Sequence, residues 1–427
     1  MIFGYEILDS YYNGWNFNGR YEVPARFDYA EKEVYYIEMI RTFINPTLYL
    51  KSSGLTATPL PYVGYSDVKH FAVDQITDQR YFYPIFIYSP RIFCQYIEKL
   101  SISPKVRKDV ENGQAKIVIL FPTEGDQYRF FIKFQEIIST LNLHKDSIFF
   151  IHSDLNTEKW QGLNFNYISC NHFLYSLGKW YQDGRNLEVS YDFKFLFLSY
   201  NRNTRPQRII LLNELVKNNL TNRGLLSFRT RENELEQIRK QLSTYELLPT
   251  EILRPYLEIE LDQNIWKTLP SHEINWQHHR NSFVSIVTES ICDDKNDIVF
   301  LTEKIYKPIL ALHPFLVVGA KNYLTRLREI GFKTFNNFWS EDYDTFDSSI
   351  ERIKAVVDNV KTLSKLPHEE LIKMKTDMAG ILEHNRSLLI SFLDEQILPY
   401  GKRENLDHHT SSYLVLKDLY EKEFNCD

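Results

Sequence analysis

Residues 297–319 read DIVFLTEKIYKPILALHPFLVVG. One apolar run leads into Thr302, Glu303 and Lys304, and a second, PFLVVG, ends in glycine. An acid beside a base, set between two segments of buried character, is not what a core requires. Thr302 is a helix-capping residue type, and Glu303 in a first turn complements the positive end of a helix. The stretch therefore predicts a strand end, a helix from about Glu303, and a buried strand over 314–319. Pro308 lacks an N–H and should kink or shorten that helix. Glu303 also precedes Lys307 by four residues, the spacing of an ordinary surface ion pair.

The same rhythm extends outward. SFVSIVT (282–288) reads as a strand, and a short strand is expected near Val299. Upstream, the strand FKFLFLSY (193–200) meets the loop NRNTRP and then the helix QRIILLNELVKNN. Thr204 with Gln207 three residues later has the form of a capping box, and Pro206 suits a first helical turn. Arg202, Arg205 and Arg208 crowd around this helix start. A helix N-terminus with three guanidiniums can hold a pyrophosphate, although a solvated arginine loop has the same composition.

The N-terminal half repeats the pattern. AKIVILF (115–121) is a buried strand, PTEGD a loop, QYRFFIKFQEIISTL an amphipathic helix, and DSIFFIHSD (146–154) the next strand. Such spacing describes βαβ units in a parallel sheet. The polar stretch YQDGRN (181–186) is the natural boundary. The reading is two α/β halves, 1–186 and 187–365, followed by helices over 366–427 that buttress them. In open sheets of this kind, ligands bind at the carboxyl ends of strands.

Composition bounds the function. The chain has 427 residues, enough for two domains, with 43% hydrophobic and 25% charged residues. A formal net charge of −6 gives no general attraction for nucleic acid or anionic lipid. The four cysteines, Cys94, Cys170, Cys292 and Cys426, are scattered without metal-ligand spacing and read as thiols in a reducing compartment. No glycine-rich phosphate cradle of the GxGxxG or GxxxxGK[ST] type occurs. The longest apolar run falls short of a bilayer span. With no signal-peptide order at its start, the chain is expected to be cytoplasmic.

TEKI after an apolar strand, followed closely by HPFLVVG, resembles the signature of bacterial α-1,3-fucosyltransferases and their wider GT-B relatives. FLSYNRNTRPQR resembles that family's strand–Asn–loop–Arg element, and NSFVSIVTES the strand preceding the TEK motif. The resemblance covers roughly residues 193–345. It implies a GT-B-like fold: two Rossmann-like domains facing a cleft, with a C-terminal helical segment. It also implies a metal-independent glycosyltransferase, with a nucleotide-diphosphate sugar as donor substrate and no other cofactor. Glu303 would bind the ribose, and Lys304 with Arg205 or Arg208 the diphosphate. Glu289 would lie near the donor sugar or ribose. KIYKP and GFKTFNNFWSEDYD depart from the family pattern and leave the donor sugar open.

The acceptor half must supply a general base if transfer inverts configuration. Glu124, after KIVILF and between Pro122 and Gly125, is the candidate; Asp126 is better placed to cap the following helix. His152 and Asp154 are weaker alternatives. Asp342-x-Asp344 has the form of a metal-binding DxD, but lies just before a helix, where acids are expected anyway. His278-His279 lacks a second pair at zinc-ligand spacing. The acceptor is expected to be a glycan or other hydroxyl compound. Two alternatives stay open: a DNA-modifying glycosyltransferase acting on a hydroxylated base, and a non-catalytic carbohydrate- or nucleotide-binding protein on the same scaffold. The arginines of 223–240 are interspersed with acids, so nucleic acid is the less favoured partner.

Overall fold

A computed structural model describes residues 1–5, 69–86, 102–121, 135–136, 138–155, 162–170, 184, 186–259, 261, 274–292, 294, 298–397 and 410–424. The chain separates into two compact units, Met1–Tyr175 with Asn405–Asp427, and Ser176–Glu404. The division thus falls some ten residues before YQDGRN ends. The C-terminal helices are shared between the units and do not form a third.

The first unit is a parallel sheet in the order β2-β1-β3-β4-β5-β6. Its strands are β1 (Ile2–Tyr5), β2 (Lys69–Ala72), β3 (Tyr81–Phe86), β4 (Ala115–Phe121), β5 (Ile148–His152) and β6 (Asn166–Ser169). β5 is buried throughout, as expected of a parallel strand covered on both faces. Helix α1 (Pro104–Glu111) is capped by Ser103, whose hydroxyl accepts from the Val106 N–H. It sets Val106 and Val110 into a core with Tyr81, Ile85, Ile117 and Phe150. The C-terminal helix, Thr410–Phe424, docks here through aromatic contacts. Tyr420 and Phe424 lie 5.3 and 5.4 Å from the Phe82 ring, and the Tyr420 hydroxyl donates to the Arg80 carbonyl at 2.6 Å.

The second unit holds the parallel order β10-β9-β7-β8: β7 (Phe195–Asn201), β8 (Gly224–Phe228), β9 (Ser282–Thr288) and β10 (Phe315–Val318). β9 and β10 are buried at every position. Gly224 lies beside Phe197 in the ladder, and a Cβ there would drive into the Phe197 ring. Among the described residues the unit's helices of five residues or more are α2 (Pro206–Lys217), α3 (Glu232–Gln241), α4 (Trp276–Arg280), α5 (Glu303–Leu310), α6 (Tyr323–Glu329), α7 (Ser349–Leu363), α8 (His368–Asp377) and α9 (Ala379–Ile397).

The short strand expected near Val299 does not form. Ile298, Val299, Phe300 and Leu301 are buried but carry no ladder. β9 already has β7 on one side and β10 on the other, so the run packs as buried coil leading to α5. Pro308 lies inside α5, where it removes one internal hydrogen bond; the helix stops after eight residues.

Candidate functional site

In the second unit β7 connects by α2 to β8 on one side, while β9 connects by α5 to β10 on the other. The direction of winding reverses between β7 and β9, and a crevice opens at such a switch point outside the carboxyl ends of the two strands. The described loop residues there are 202–205, 289–292, 294 and 298–302.

Glu289 directly follows β9, and its N–H continues the ladder to the Val318 carbonyl at 2.9 Å. The residue is only 3% exposed. The Tyr323 hydroxyl donates to Oε1 at 2.7 Å, the Thr302 hydroxyl donates to Oε2 at 2.8 Å, and Lys304 Nζ lies 3.6 Å from Oε2. Two neutral donors and a cation thus offset the cost of burying a carboxylate. Burial and the Glu289 charge both push the Tyr323 phenol well above its usual range, so it stays a donor.

Thr302 caps α5 as the sequence predicted, accepting from the Lys304 N–H at 3.3 Å. Lys304 Nζ donates to the Thr302 hydroxyl at 3.1 Å and lies 3.4 Å from Glu303 Oε1. Acid and base therefore meet each other, and Lys304 also leans toward Glu289. Burial alone would raise the Glu303 carboxyl; Lys304, Lys307 and its own backbone N–H outweigh that and hold it below the ordinary range.

Across the crevice, the Thr204–Gln207 capping box does not form: Arg205 occupies the N-cap of α2 without a side-chain cap, and Pro206 takes the first turn. Thr204 donates instead to Glu234 at 2.8 Å. Gln207 Nε2 reaches the Glu289 and Ser290 carbonyls, both at 3.0 Å. Long-range partners for both side chains replace the local box. Arg205 Nη1 donates to the Ser290 carbonyl at 2.8 Å, and Arg208 Nη1 to the Asn203 carbonyl at 2.8 Å. Arg205 thus ties the start of α2 to the loop after β9, while Arg208 braces the loop after β7 and reaches the Thr288 carbonyl at the end of β9 at 3.5 Å. Arg202 is exposed as a residue; partial burial of its charged group and the nearby Arg229 both press against its charged form.

Arg352 fixes the floor. Its guanidinium donates to the carbonyls of Gly319 at 3.2 Å, Phe346 at 2.6 Å, Asp347 at 2.9 Å and Cys292 at 3.3 Å. It thereby joins the segments that leave β9 and β10. Neither Arg352 nor Tyr323 is evident from sequence, because the partners that bring them to this place, Gly319 and Cys292 for Arg352 and Glu289 for Tyr323, lie 33, 60 and 34 residues away.

The Asp342-x-Asp344 pair is not arranged as a metal site. The Asp344 carboxylate takes the Leu324 N–H at 2.7 Å, and the Thr325 N–H and hydroxyl each at 2.9 Å. It caps α6, whose own N-cap, Asn322, is left-handed and makes no side-chain cap. Asp342 accepts from Ser340 at 2.9 Å. Among the described residues no group of three His, Cys, Asp or Glu side chains is placed to hold a metal ion. His278 contacts Tyr200 at 2.6 Å, and His279 is buried.

In the first unit, His152 and Asp154 at the end of β5 are both fully buried, and the Asp154 N–H donates to His152 Nδ1 at 3.3 Å. Glu124 and Asp126 lie outside the described residues. No described helix is long and apolar enough to cross a membrane.

No protein-family model matches the chain, and no curated protein matches it. Solved structures give weak likenesses. OtsA in its apo form shares 13% identity, covering 91% of this chain and 84% of that one, with a TM-score of 0.36. The α,α-trehalose 6-phosphate synthase from Burkholderia multivorans shares 10%, covering 97% and 83%, with 0.37. A glycosyltransferase from Rickettsia africae shares 12%, covering 91% and 95%, with 0.37. Likenesses of this size carry no inference about activity.

Proposed function

We propose that the chain is a glycosyltransferase of GT-B type, moving a sugar from a nucleotide-diphosphate donor to an acceptor hydroxyl. The observation that carries this reading is the convergence of Glu289, Glu303 and Lys304 at the switch point between β7 and β9. Glu289 is held there by Thr302 and Tyr323, and Lys304 lies within ion-pair distance of both acids. A carboxylate kept ionised beside a lysine suits a ligand carrying a diol and a diphosphate. Glu303 accepts from the ribose hydroxyls, and Lys304 turns from its acids to the phosphates.

In the reaction the bond from the anomeric carbon to the diphosphate oxygen breaks, and a bond to the acceptor oxygen forms. The acceptor proton passes to a carboxylate, for which Glu124 is the candidate, and the nucleoside diphosphate leaves with the bonding electron pair. Lys304 and Arg202 offset the charge that develops on the leaving group, so no divalent metal is needed. Arg205 and Arg208 act by holding the crevice loops. The acceptor is a glycan or other hydroxyl compound, and with this net charge a hydroxylated DNA base is the less favoured one.

The test is incubation of the purified protein with a panel of nucleotide sugars, with and without glycan acceptors, reading release of the nucleoside diphosphate. Release from at least one donor is expected, lost in Glu303→Ala and Lys304→Ala with the fold intact. Glu124→Gln should cut transfer by about 10² to 10⁴ and hardly touch donor binding. Thermal stabilisation by nucleotide sugars without any release or transfer would identify a binding protein instead.

A further inference from the structure

Glu303, Lys304 and Tyr323 reach the switch point from the first turns of two short helices. α5 has eight residues and α6 seven, rods of about 12 and 10 Å. The far ends of both rods rest on α9. α5 packs along it, and its last residue, Leu310, abuts Gly184: a Cβ there would lie 2.5 Å from Leu310 Cγ and Cδ1. Arg386 of α9 holds that stretch of chain, donating to the carbonyls of Gly184 at 3.2 Å and of Leu187.

α6 closes through Gly331, whose φ of +100° is a glycine conformation, and the Phe332 N–H returns to the Leu327 carbonyl at 3.1 Å. α9 grips this turn as well. His384 Nε2 donates to the Gly331 carbonyl at 2.9 Å. Asn385 accepts from the Lys333 N–H at 2.7 Å and donates to the Lys333 carbonyl at 2.8 Å. A carboxamide of this length offers the donor and acceptor side by side that such a pair needs.

Asn385 is 1% exposed and lies in the interior of a 19-residue helix. Asparagine is a weak helix former, and a buried polar group stabilises a core less than an apolar one of its size. Neither propensity nor packing accounts for it there. What it supplies is register, as a buried asparagine does between paired helices. The two bonds are made at one setting of Lys333 along α9 and lost at any other.

We propose that Asn385 and Arg386 are positioning residues for the candidate site. By fixing the far ends of α6 and α5 along α9, they set the Tyr323 hydroxyl and the Lys304 ammonium against Glu289. This rests on the glycosyltransferase reading and deepens it. A short helix moves as a rod, so a slip at Lys333 or Leu310 is carried to the site at nearly full size.

The experiment is calorimetric titration of uridine and guanosine diphosphate into wild type and variants of the full chain, with melting temperatures read in parallel. Asn385→Ala and Arg386→Ala should each weaken the nucleotide that wild type binds by about fivefold. Arg386→Lys, which keeps a donor for the Gly184 and Leu187 carbonyls, should recover most of that loss. Val360→Ala, which truncates a buried side chain on α7, should lower the melting temperature yet leave affinity within about twofold. A residue that acts through another loses its effect once that other is gone. Asn385→Ala should therefore cost less than about twofold further in a Tyr323→Phe background, and Arg386→Ala likewise in Lys304→Ala. Losses that multiply in both double variants, or wild-type affinity in both Asn385→Ala and Arg386→Ala, overturn the inference. If Tyr323→Phe and Lys304→Ala still lose affinity in that case, the glycosyltransferase reading stands and this inference alone fails. If wild type binds neither nucleotide, that reading fails and the inference with it. Should Asn385→Ala not fold, the Arg386 variants and their double variant decide the matter.

Discussion

The Tyr323 hydroxyl donates to Glu289 Oε1 at 2.7 Å, and both groups are buried. Tyr323 comes from the start of α6, beyond β10, and Glu289 from the end of β9. This hydrogen bond and the one from the Thr302 hydroxyl together set the carboxylate at the switch point. Tyr323→Phe keeps the ring and removes only the donor. It should cost about 1.5 to 3 kcal/mol of stability, the usual range for a bond to a charged group. With one anchor lost, Glu289 can draw Lys304 toward itself, so donor use should fall about tenfold in kcat/KM. Denaturant unfolding and steady-state kinetics on the same preparation check both effects.

His279 and His313 make the second unit acid-sensitive. Burial holds His279 at about 4, against help from the Asn275 carbonyl, with Lys307, His278 and Lys375 also opposing its charge. Burial and the neighbouring Lys375 and His279 likewise push His313 well below its usual range. His313 uses both ring nitrogens in a neutral ring, one toward the Ser282 carbonyl at 2.7 Å and one toward the Ser285 hydroxyl at 2.7 Å. A folded-state value below the unfolded one means the unfolded chain takes up protons first. Stability is then fully present above about 6.5 and is lost as pH falls toward 4. For His279 alone the loss is on the order of 3 kcal/mol. Unfolding midpoints between pH 7 and 4 should fall more steeply in wild type than in His279→Asn, whose amide can still donate to Asn275.

Burial also pushes Lys375 down to about 7. Its Nζ lies 3.4 Å from the Ser282 carbonyl and 5.2 Å from the centre of the Phe193 ring. By the same sign rule, stability is lost as pH falls from about 10.5 to 7 and is flat in this group below that. Lys375→Met should therefore be at least as stable as wild type at pH 7 and lose its advantage at pH 10. A variant less stable than wild type at pH 7 would count against a buried lysine held under strain.

Asp344 separates a structural acid from a metal ligand. Its carboxylate takes two backbone N–H groups and a hydroxyl at the start of α6. Asp344→Ala should destabilise by about 1 to 3 kcal/mol by leaving those buried donors unmet. Asp342→Ala, at an exposed position, should change stability by less than about 0.5 kcal/mol. Transfer in the Asp342 variant should match wild type with and without Mg²⁺ or Mn²⁺. A metal-dependent loss of activity there would restore the DxD reading.

Much of the second unit was legible in the sequence because its central strands are buried on both faces. SFVSIVT, apolar but for small Ser and Thr residues, is the central strand β9, and the unbroken apolar run FLVV is β10 beside it. The cap at Thr302 was legible for a local reason, since its partner is two residues away. Local logic failed where tertiary partners won. Thr204 and Gln207 have capping-box spacing, yet one reaches Glu234 and the other Glu289 and Ser290. Ile298–Leu301 is as apolar as a strand, but β9 has no open edge to receive it. Glu289 and Lys304 could be named from sequence, whereas the place of Tyr323 depends on strand order.

The central claim is that Lys304 and its two acids receive a nucleoside diphosphate without a metal. Its most direct test is calorimetric titration of uridine and guanosine diphosphate into wild type and Lys304→Ala, in buffer containing a chelator. At least one nucleotide should bind wild type and raise its melting temperature, a ligand at 100 times its Kd adding about 2.7 kcal/mol. Affinity in Lys304→Ala should fall about 10- to 100-fold, as for one lost charge-assisted contact, in a protein that still folds but melts at a lower temperature because Glu289 and Glu303 lose their cation. Equal affinity in the two proteins, or binding that appears only when Mg²⁺ or Mn²⁺ is restored, would contradict the account.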